Sequence, residues 1–250
     1  IAGIWDFRQS LGSEELGSIA SRMAKSLFHR GPDDSGLVRF PNVGLALSHQ
    51  RLSIIDVSGQ GRQPMTSSCG RCVIVYNGEV YNARELRRDL KRRGRVFRGH
   101  SDTEVLLEGI SEYGVSEFTS RVNGIFAFAL YDKRSNALWL VRDRIGVKPL
   151  YYGVFDHCLL FGSEIKALSH CEKFTKQVDN NAIASLMRNS YIPAPTSIYK
   201  GVAKLPPGSI VKFDCSGNSE VSRYWLLEDT VRRGLDNQIR NIGDAKSQLS

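Results

Sequence analysis

No stretch of this chain approaches 18 consecutive apolar residues, so a transmembrane helix is not expected. Its start lacks a basic segment followed by an apolar one, so nothing reads as a secretory signal. Cysteine is sparse and odd in number, with Cys69, Cys72, Cys158, Cys171 and Cys215. Five scattered thiols make a poor disulfide framework and fit a reducing cytoplasm. Cys69-Gly70-Arg71-Cys72 has the spacing of a redox or metal pair, yet no second cysteine or histidine pair completes four ligands and no βαβ unit follows. It is expected to be a turn entering a strand. Internal repeats and low-complexity tracts are absent too, which argues against a repeat architecture.

What is present is ordinary for a soluble globular chain: 250 residues, 41% hydrophobic and 24% charged, enough for one large domain or two small ones. The 34 Lys and Arg against 26 Asp and Glu give a net charge of +8. Much of that excess lies between Arg84 and Arg98. There, Leu86 and Leu90 supply an apolar stripe four residues apart, and Glu85 and Asp89 offset part of the charge, so the run reads as the solvated face of a helix. No nucleic-acid motif accompanies it, and nucleic acid is not expected as a partner.

Apolar spacing predicts helices over 13–27, with Ser13 as cap, and over 84–93, 103–113 and 179–189. Alternation and turn residues predict strands over 43–51, 73–76, 125–131, 137–141, 150–155, 159–162 and 210–213, with a short one near Ile198-Tyr199. Hairpins interspersed with helices make an α+β layered domain. The region from Val221 to Ser250 is poorer in apolar residues and is expected to lead out of a domain spanning 1–220.

Polar residues gather where apolar segments end. Asn77-Gly78 follows the run Val73 to Tyr76. Alone, this dipeptide is the strongest short signal for a two-residue hairpin turn. Its other reading is a pair of donors, one side-chain amide and one backbone N–H, for an oxyanion. Upstream stands His49-Gln50-Arg51-Leu52-Ser53-Ile54-Ile55-Asp56, and downstream Ser101-Asp102-Thr103-Glu104, which is also a capping box.

Together with His29-Arg30-Gly31-Pro32-Asp33, Arg142-Asp143-Arg144-Ile145-Gly146-Val147-Lys148-Pro149, Phe161-Gly162-Ser163-Glu164 and Leu205-Pro206-Pro207-Gly208, these segments resemble, in family order, the glutaminase domain of class II glutamine amidotransferases, specifically the asparagine-synthetase branch. The resemblance implies a four-layer αββα sandwich of the N-terminal-nucleophile (Ntn) hydrolase type, two antiparallel sheets flanked by helices. It implies an oxyanion hole at Asn77 and Gly78, a carboxylate clamp at Arg51 beside Leu52, Ile54 and Ile55, and an ammonium site at Asp102 with Glu79. L-glutamine is the implied substrate. The domain itself is expected to need no cofactor; ATP and Mg²⁺ belong to a C-terminal synthetase domain, whose Ser-Gly-Gly-x-Asp-Ser signature is not in this chain. The resemblance leaves room for a homodimer and for a cytoplasmic location.

One departure stands out. The family opens with a catalytic cysteine, as Cys-Gly-Ile-x-Gly, whereas this sequence opens Ile1-Ala2-Gly3-Ile4-Trp5-Asp6. Aligning Ile1 and Gly3 with the family's Ile-x-Gly puts the cysteine two positions ahead of Ile1. Aligning Ala2-Gly3 with Cys-Gly would instead make this an inactive domain retained for folding or partner contact. The first alignment is preferred because Ile4-Trp5-Asp6 then meets an apolar pair and an Asp in the family. In His29 to Asp33 the histidine reads as a structural hydrogen-bonding group, and Asp143, Arg144 and Lys148 read either as a face toward a partner or as a buried ionic network.

Overall fold

The computed structural model describes residues 1–53 and 59–236. The chain runs β1 (Ala2–Asp6), α1 (Ser13–Lys25), β2 (Asp34–Phe40), β3 (Leu45–Arg51), β4 (Met65–Thr66), β5 (Cys72–Val80), α2 (Ala83–Arg92), α3 (Asp102–Tyr113) and α4 (Val115–Arg121). It continues through β6 (Gly124–Asp132), β7 (Ala137–Arg142), β8 (Tyr151–Phe155), β9 (Cys158–Gly162), α5 (Ile165–Leu168), α6 (Asn180–Asn189), β10 (Ala203–Lys204), β11 (Ser209–Phe213), β12 (Ser219–Arg223) and α7 (Leu227–Asp236). The strands form two antiparallel six-stranded sheets, ordered β10-β8-β9-β1-β3-β2 and β12-β11-β7-β6-β5-β4.

Side-chain alternation along two strands explains the layering. On β3, Leu45 and Leu47 face the second sheet while Ala46 faces α1; on β5, Val73 and Val75 face the first sheet while Ile74 and Tyr76 face α3. One apolar layer therefore lies between the sheets, and one lies under the helices on each side. The result is an αββα sandwich. Leu16, Ile19, Ala20 and Met23 form the buried stripe of α1, and each large apolar side chain so buried contributes roughly 1.5–3 kcal/mol. β1 shows why alternation misses central strands: all five of its residues are buried, since both of its faces are covered.

Several expectations are met in detail. Ser101 caps α3, its Oγ accepting from Glu104 N–H at 3.3 Å, and Asp179 caps α6 by accepting from Asn181 N–H at 2.9 Å. Cys69 lies just ahead of β5, which begins at Cys72, as expected for a turn entering a strand. Others are corrected. Gly12, not Ser13, is the N-cap of α1. Near Ile198 the described residues show a single bridge, Val178 to Tyr199, in place of a strand. Apart from these corrections, β12 pairs along its length with β11. Beyond it, α7 leaves Leu227, Val231 and Leu235 exposed along one stripe.

Candidate active site

Asn77-Gly78 makes no turn. Both residues are paired within β5, Asn77 opposite Ala127 and Gly78 opposite Phe126 of β6. β6 comes so close that a Cβ on Gly78 would overlap the Ile125 carbonyl oxygen and lie 2.6 Å from Phe126 Cα. A glycine is required here by that approach, not by a turn conformation.

What frees this segment for chemistry is its other edge. β4 pairs with Val73 and Ile74, so from Tyr76 onward β5 has β6 on one side and, among the described residues, no strand on the other. Side chains take the place of the missing strand. Tyr76 N–H donates to Gln63 Oε1 at 2.6 Å, and Tyr76 C=O accepts from His49 Nε2 at 2.9 Å. Two residues after Gly78, Val80 N–H donates to Asp102 Oδ2 at 2.9 Å. Alternate residues of a strand direct their N–H groups to the same side. The Gly78 N–H between these two therefore points away from β6, toward a cleft of about 500 Å³ that Asn77, Gly78, Arg51 and Asp102 all line.

The cleft lies at one end of the layer between the sheets. His49 and Arg51 continue the inward face of Leu45 and Leu47, and Asn77 continues the inward face of Val73 and Val75. Five buried side-chain polar atoms lack a hydrogen-bond partner among the described residues, and two of them belong to cleft residues: Asn77 Nδ2, a donor, and His49 Nδ1. Leaving such a group unpaired costs about 1–3 kcal/mol, and these two are the ones of the five that belong to residues lining the cleft. Burial pushes the His49 imidazole down to about 3, and the positive charge of Arg51 acts in the same direction. It is therefore neutral. Since Nε2 carries the hydrogen given to Tyr76 C=O, Nδ1 has a bare lone pair.

Asp102 is buried at the first turn of α3, where a carboxylate is favoured by the helix dipole. Its Oδ2 also accepts from Tyr76 O–H at 2.8 Å, and its Oδ1 accepts from Thr103 N–H at 2.9 Å. Burial, and next the Asp102 charge, push the Tyr76 hydroxyl well above its ordinary value, so it stays protonated and donates. Tyr76 thus links the two halves of the site, its backbone held by His49 and Gln63 and its side chain holding Asp102. Glu79 lines the cleft from an exposed position, and Leu52 lines it just past the end of β3. Ile54 and Ile55 lie outside the described residues.

The segment from His29 to Asp33 packs onto the end of β3. A Cβ on Gly31 would come within 2.6 Å of the Arg51 carbonyl carbon, Asp33 N–H donates to Arg51 C=O at 3.0 Å, and Ser53 N–H donates to Asp33 Oδ2 at 2.8 Å. His29 and Arg30 are held by Glu164 at 2.8 and 3.1 Å and also line the cleft. In the motif beginning at Arg142 the buried groups are held, among the described residues, by backbone partners and not by an ion-pair network. Arg142 and Asp143 are both buried, whereas Lys148 lines the cleft.

Gln63 and Tyr76 are cleft residues that sequence reasoning did not single out, Lys148 was named there for a partner face or an ionic network and not for the cleft, and His49 entered it only as the head of a motif. The available signal was Gln63-Pro64 between two motif segments, but nothing in sequence shows that its side chain substitutes for a strand.

The cleft at the end of the αββα sandwich thus brings together an amide donor unpartnered among the described residues, an aligned backbone N–H and charges of both signs. Residues 1–225 match the family model described as glutamine amidotransferase domain, and the chain belongs to that family. It is 37% identical over 246 residues to asparagine synthetase [glutamine-hydrolyzing] 3 of Bacillus subtilis, covering 97% of this chain and 39% of that protein. With asparagine synthetase [glutamine-hydrolyzing] 1 of the same organism it is 34% identical, covering 95% and 36%. The chain thus spans less than half the length of these relatives. Glutamine phosphoribosylpyrophosphate amidotransferase of B. subtilis shares the fold, with a TM-score of 0.65 at 21% identity, over 90% of this chain and 49% of that one. The expected four-layer αββα sandwich of two antiparallel sheets flanked by helices is the fold found.

Proposed function

We propose that this domain hydrolyses the side-chain amide of L-glutamine to glutamate and ammonia, and that the ammonia is consumed by an ATP- and Mg²⁺-dependent synthetase in the remaining length of a longer protein. The acceptor is aspartate, giving asparagine, or another carboxylate such as a sugar or cell-envelope precursor. The observation that carries the reading is the convergence, in one cleft, of unpartnered Asn77 Nδ2, the outward Gly78 N–H, Arg51 and Asp102. Arg51 holds the substrate carboxylate, beside Leu52, Ile54 and Ile55. Asp102, assisted by Glu79, holds the ammonium. These two opposite charges select a free amino acid over a simple amide.

The strand register supports a nucleophile two residues ahead of Ile1. Ala2 pairs with Ser48 and Gly3 with Leu47, so continuing the ladder sets that position opposite Arg51. Directly opposed residues of an antiparallel pair project to the same face, so a cysteine there enters the cleft beside Arg51. Its thiolate attacks the amide carbon, and Asn77 Nδ2 and Gly78 N–H hold the oxyanion of the tetrahedral intermediate. The cysteine's own α-amino group, with an ordinary value near 8, takes the thiol proton and delivers it to the departing ammonia. Water then cleaves the thioester to release glutamate. The compartment in this reading is the cytoplasm, in keeping with five free cysteines.

Intact-mass measurement after treatment with a diazoketone analogue of glutamine tests this on the protein carrying its native amino terminus. A single adduct on a cysteine preceding Ile1, with ammonia released from glutamine by the untreated protein, is the expected result. An adduct on Cys69 or any other internal cysteine, or the absence of glutamine hydrolysis, overturns it.

A further inference from the structure

His49 has no part in the scheme above, although it is buried, lines the cleft and carries one of its two unpartnered polar atoms. Its ring is oriented from one side only. Nε2 donates to Tyr76 C=O at 2.9 Å across the gap between the sheets, which fixes the tautomer and leaves Nδ1 as an acceptor with nothing to accept. Opposite it, on the inward face of the other sheet, Asn77 Nδ2 is a donor with nothing to donate to. One free donor and one free acceptor on facing walls are the complement of a carboxamide, whose C=O accepts and whose NH₂ donates. A carboxylate satisfies only the first of them.

We infer that His49 Nδ1 accepts a hydrogen bond from the NH₂ of the substrate carboxamide, making His49 the residue by which this site tells an amide from an acid. This rests on the glutaminase reading and deepens it. The substrate and product of that reaction differ only at this group. Glutamate brings a second negatively charged oxygen against the bare Nδ1 lone pair and has no N–H to offer, so it is rejected where glutamine is held. Such a site favours entry of substrate and release of product through a single atom. Because the Tyr76 carbonyl sets the ring, the discrimination is built from the same residue whose backbone leads into Asn77 and Gly78.

The test compares the KM for glutamine, kcat, and the inhibition constant of L-glutamate in the protein with its native amino terminus. His49→Leu removes the acceptor; the expected result is a KM for glutamine raised about tenfold with glutamate inhibition unchanged or tighter. His49→Gln can donate through Nε2 and accept through Oε1, and should restore most of the preference. A parallel loss of glutamine and glutamate binding in His49→Leu would show that the ring merely braces Tyr76, and unchanged constants would show that it does nothing for the substrate; either result overturns the inference. If His49→Leu does not fold, ¹⁵N-histidine NMR of the wild-type 250-residue chain decides. The Nδ1 resonance should shift from the bare toward the hydrogen-bonded range with L-glutamine and stay in place with L-glutamate, and an identical response to both ligands rejects the idea. Absence of glutamine hydrolysis in the wild-type protein is a different failure, of the glutaminase reading itself.

Discussion

Two buried aspartates, one in the loop after β7 and one at the start of α3, show how differently similar polar groups can be used. Asp143 is fully buried, and its four lone-pair positions are filled by the backbone N–H groups of Ile145 and Val147 on Oδ1 and of Phe126 and Lys148 on Oδ2. Beside it, Arg142 donates to the carbonyls of Lys148, Leu205 and Gly146. That network is closed and holds a loop in shape. At the cleft, Asp102 accepts from Tyr76, Val80 and Thr103, and its neighbours Asn77 and His49 each keep a polar atom unpaired. A satisfied polar network stabilises the fold, whereas an unsatisfied one is a cost that a ligand can offset.

The contrast is broken most severely by Asp143→Ala, which strands four backbone donors and a buried arginine. Urea unfolding should show a loss of about 3–5 kcal/mol, and retention of wild-type stability would mean that the loop is not held by this carboxylate. Asn77→Ala should do the reverse. Because Nδ2 has no partner to lose, stability should hold while kcat falls about 100- to 1,000-fold, equivalent to roughly 3–4 kcal/mol of transition-state binding. A matched loss of stability would remove Asn77 from the oxyanion role. Arg51→Lys keeps the charge but not the planar fork. Steady-state assays should find the KM for glutamine raised about tenfold or more, with a smaller change in kcat. At the bottom of the scale, Cys69→Ser should leave both stability and activity within about 0.5 kcal/mol of wild type. A large effect there would give Cys69-Gly-Arg-Cys72 a function that its place ahead of β5 does not suggest.

Legibility differed between these regions for a physical reason. An amphipathic element such as α1 announces itself through apolar spacing, because one face lies in the core, whereas β6 and β7, buried on both faces, are marked by the apolar runs on either side of the turn at 133–136. β1 and the full length of β5 are announced in neither way, since strands covered on both faces lose alternation. Asn77-Gly78 carried two incompatible local meanings, and only the pairing with β6 excluded the turn. Arg51, Asn77, Gly78 and Asp102 were legible as motif positions, and the cleft brings them together. Gln63 and His49 were not, because their roles depend on which backbone groups are left open after the sheet has formed.

The sequence by itself determined the family, the layered α+β class and the residue types needed for amide chemistry, since these follow from ordered motifs and apolar periodicity. Only the tertiary structure decided which polar groups remain unpaired. Pairing is a property of neighbours brought together across the two sheets, with 27 positions separating His49 from the Tyr76 carbonyl it contacts. No local pattern along the chain records it.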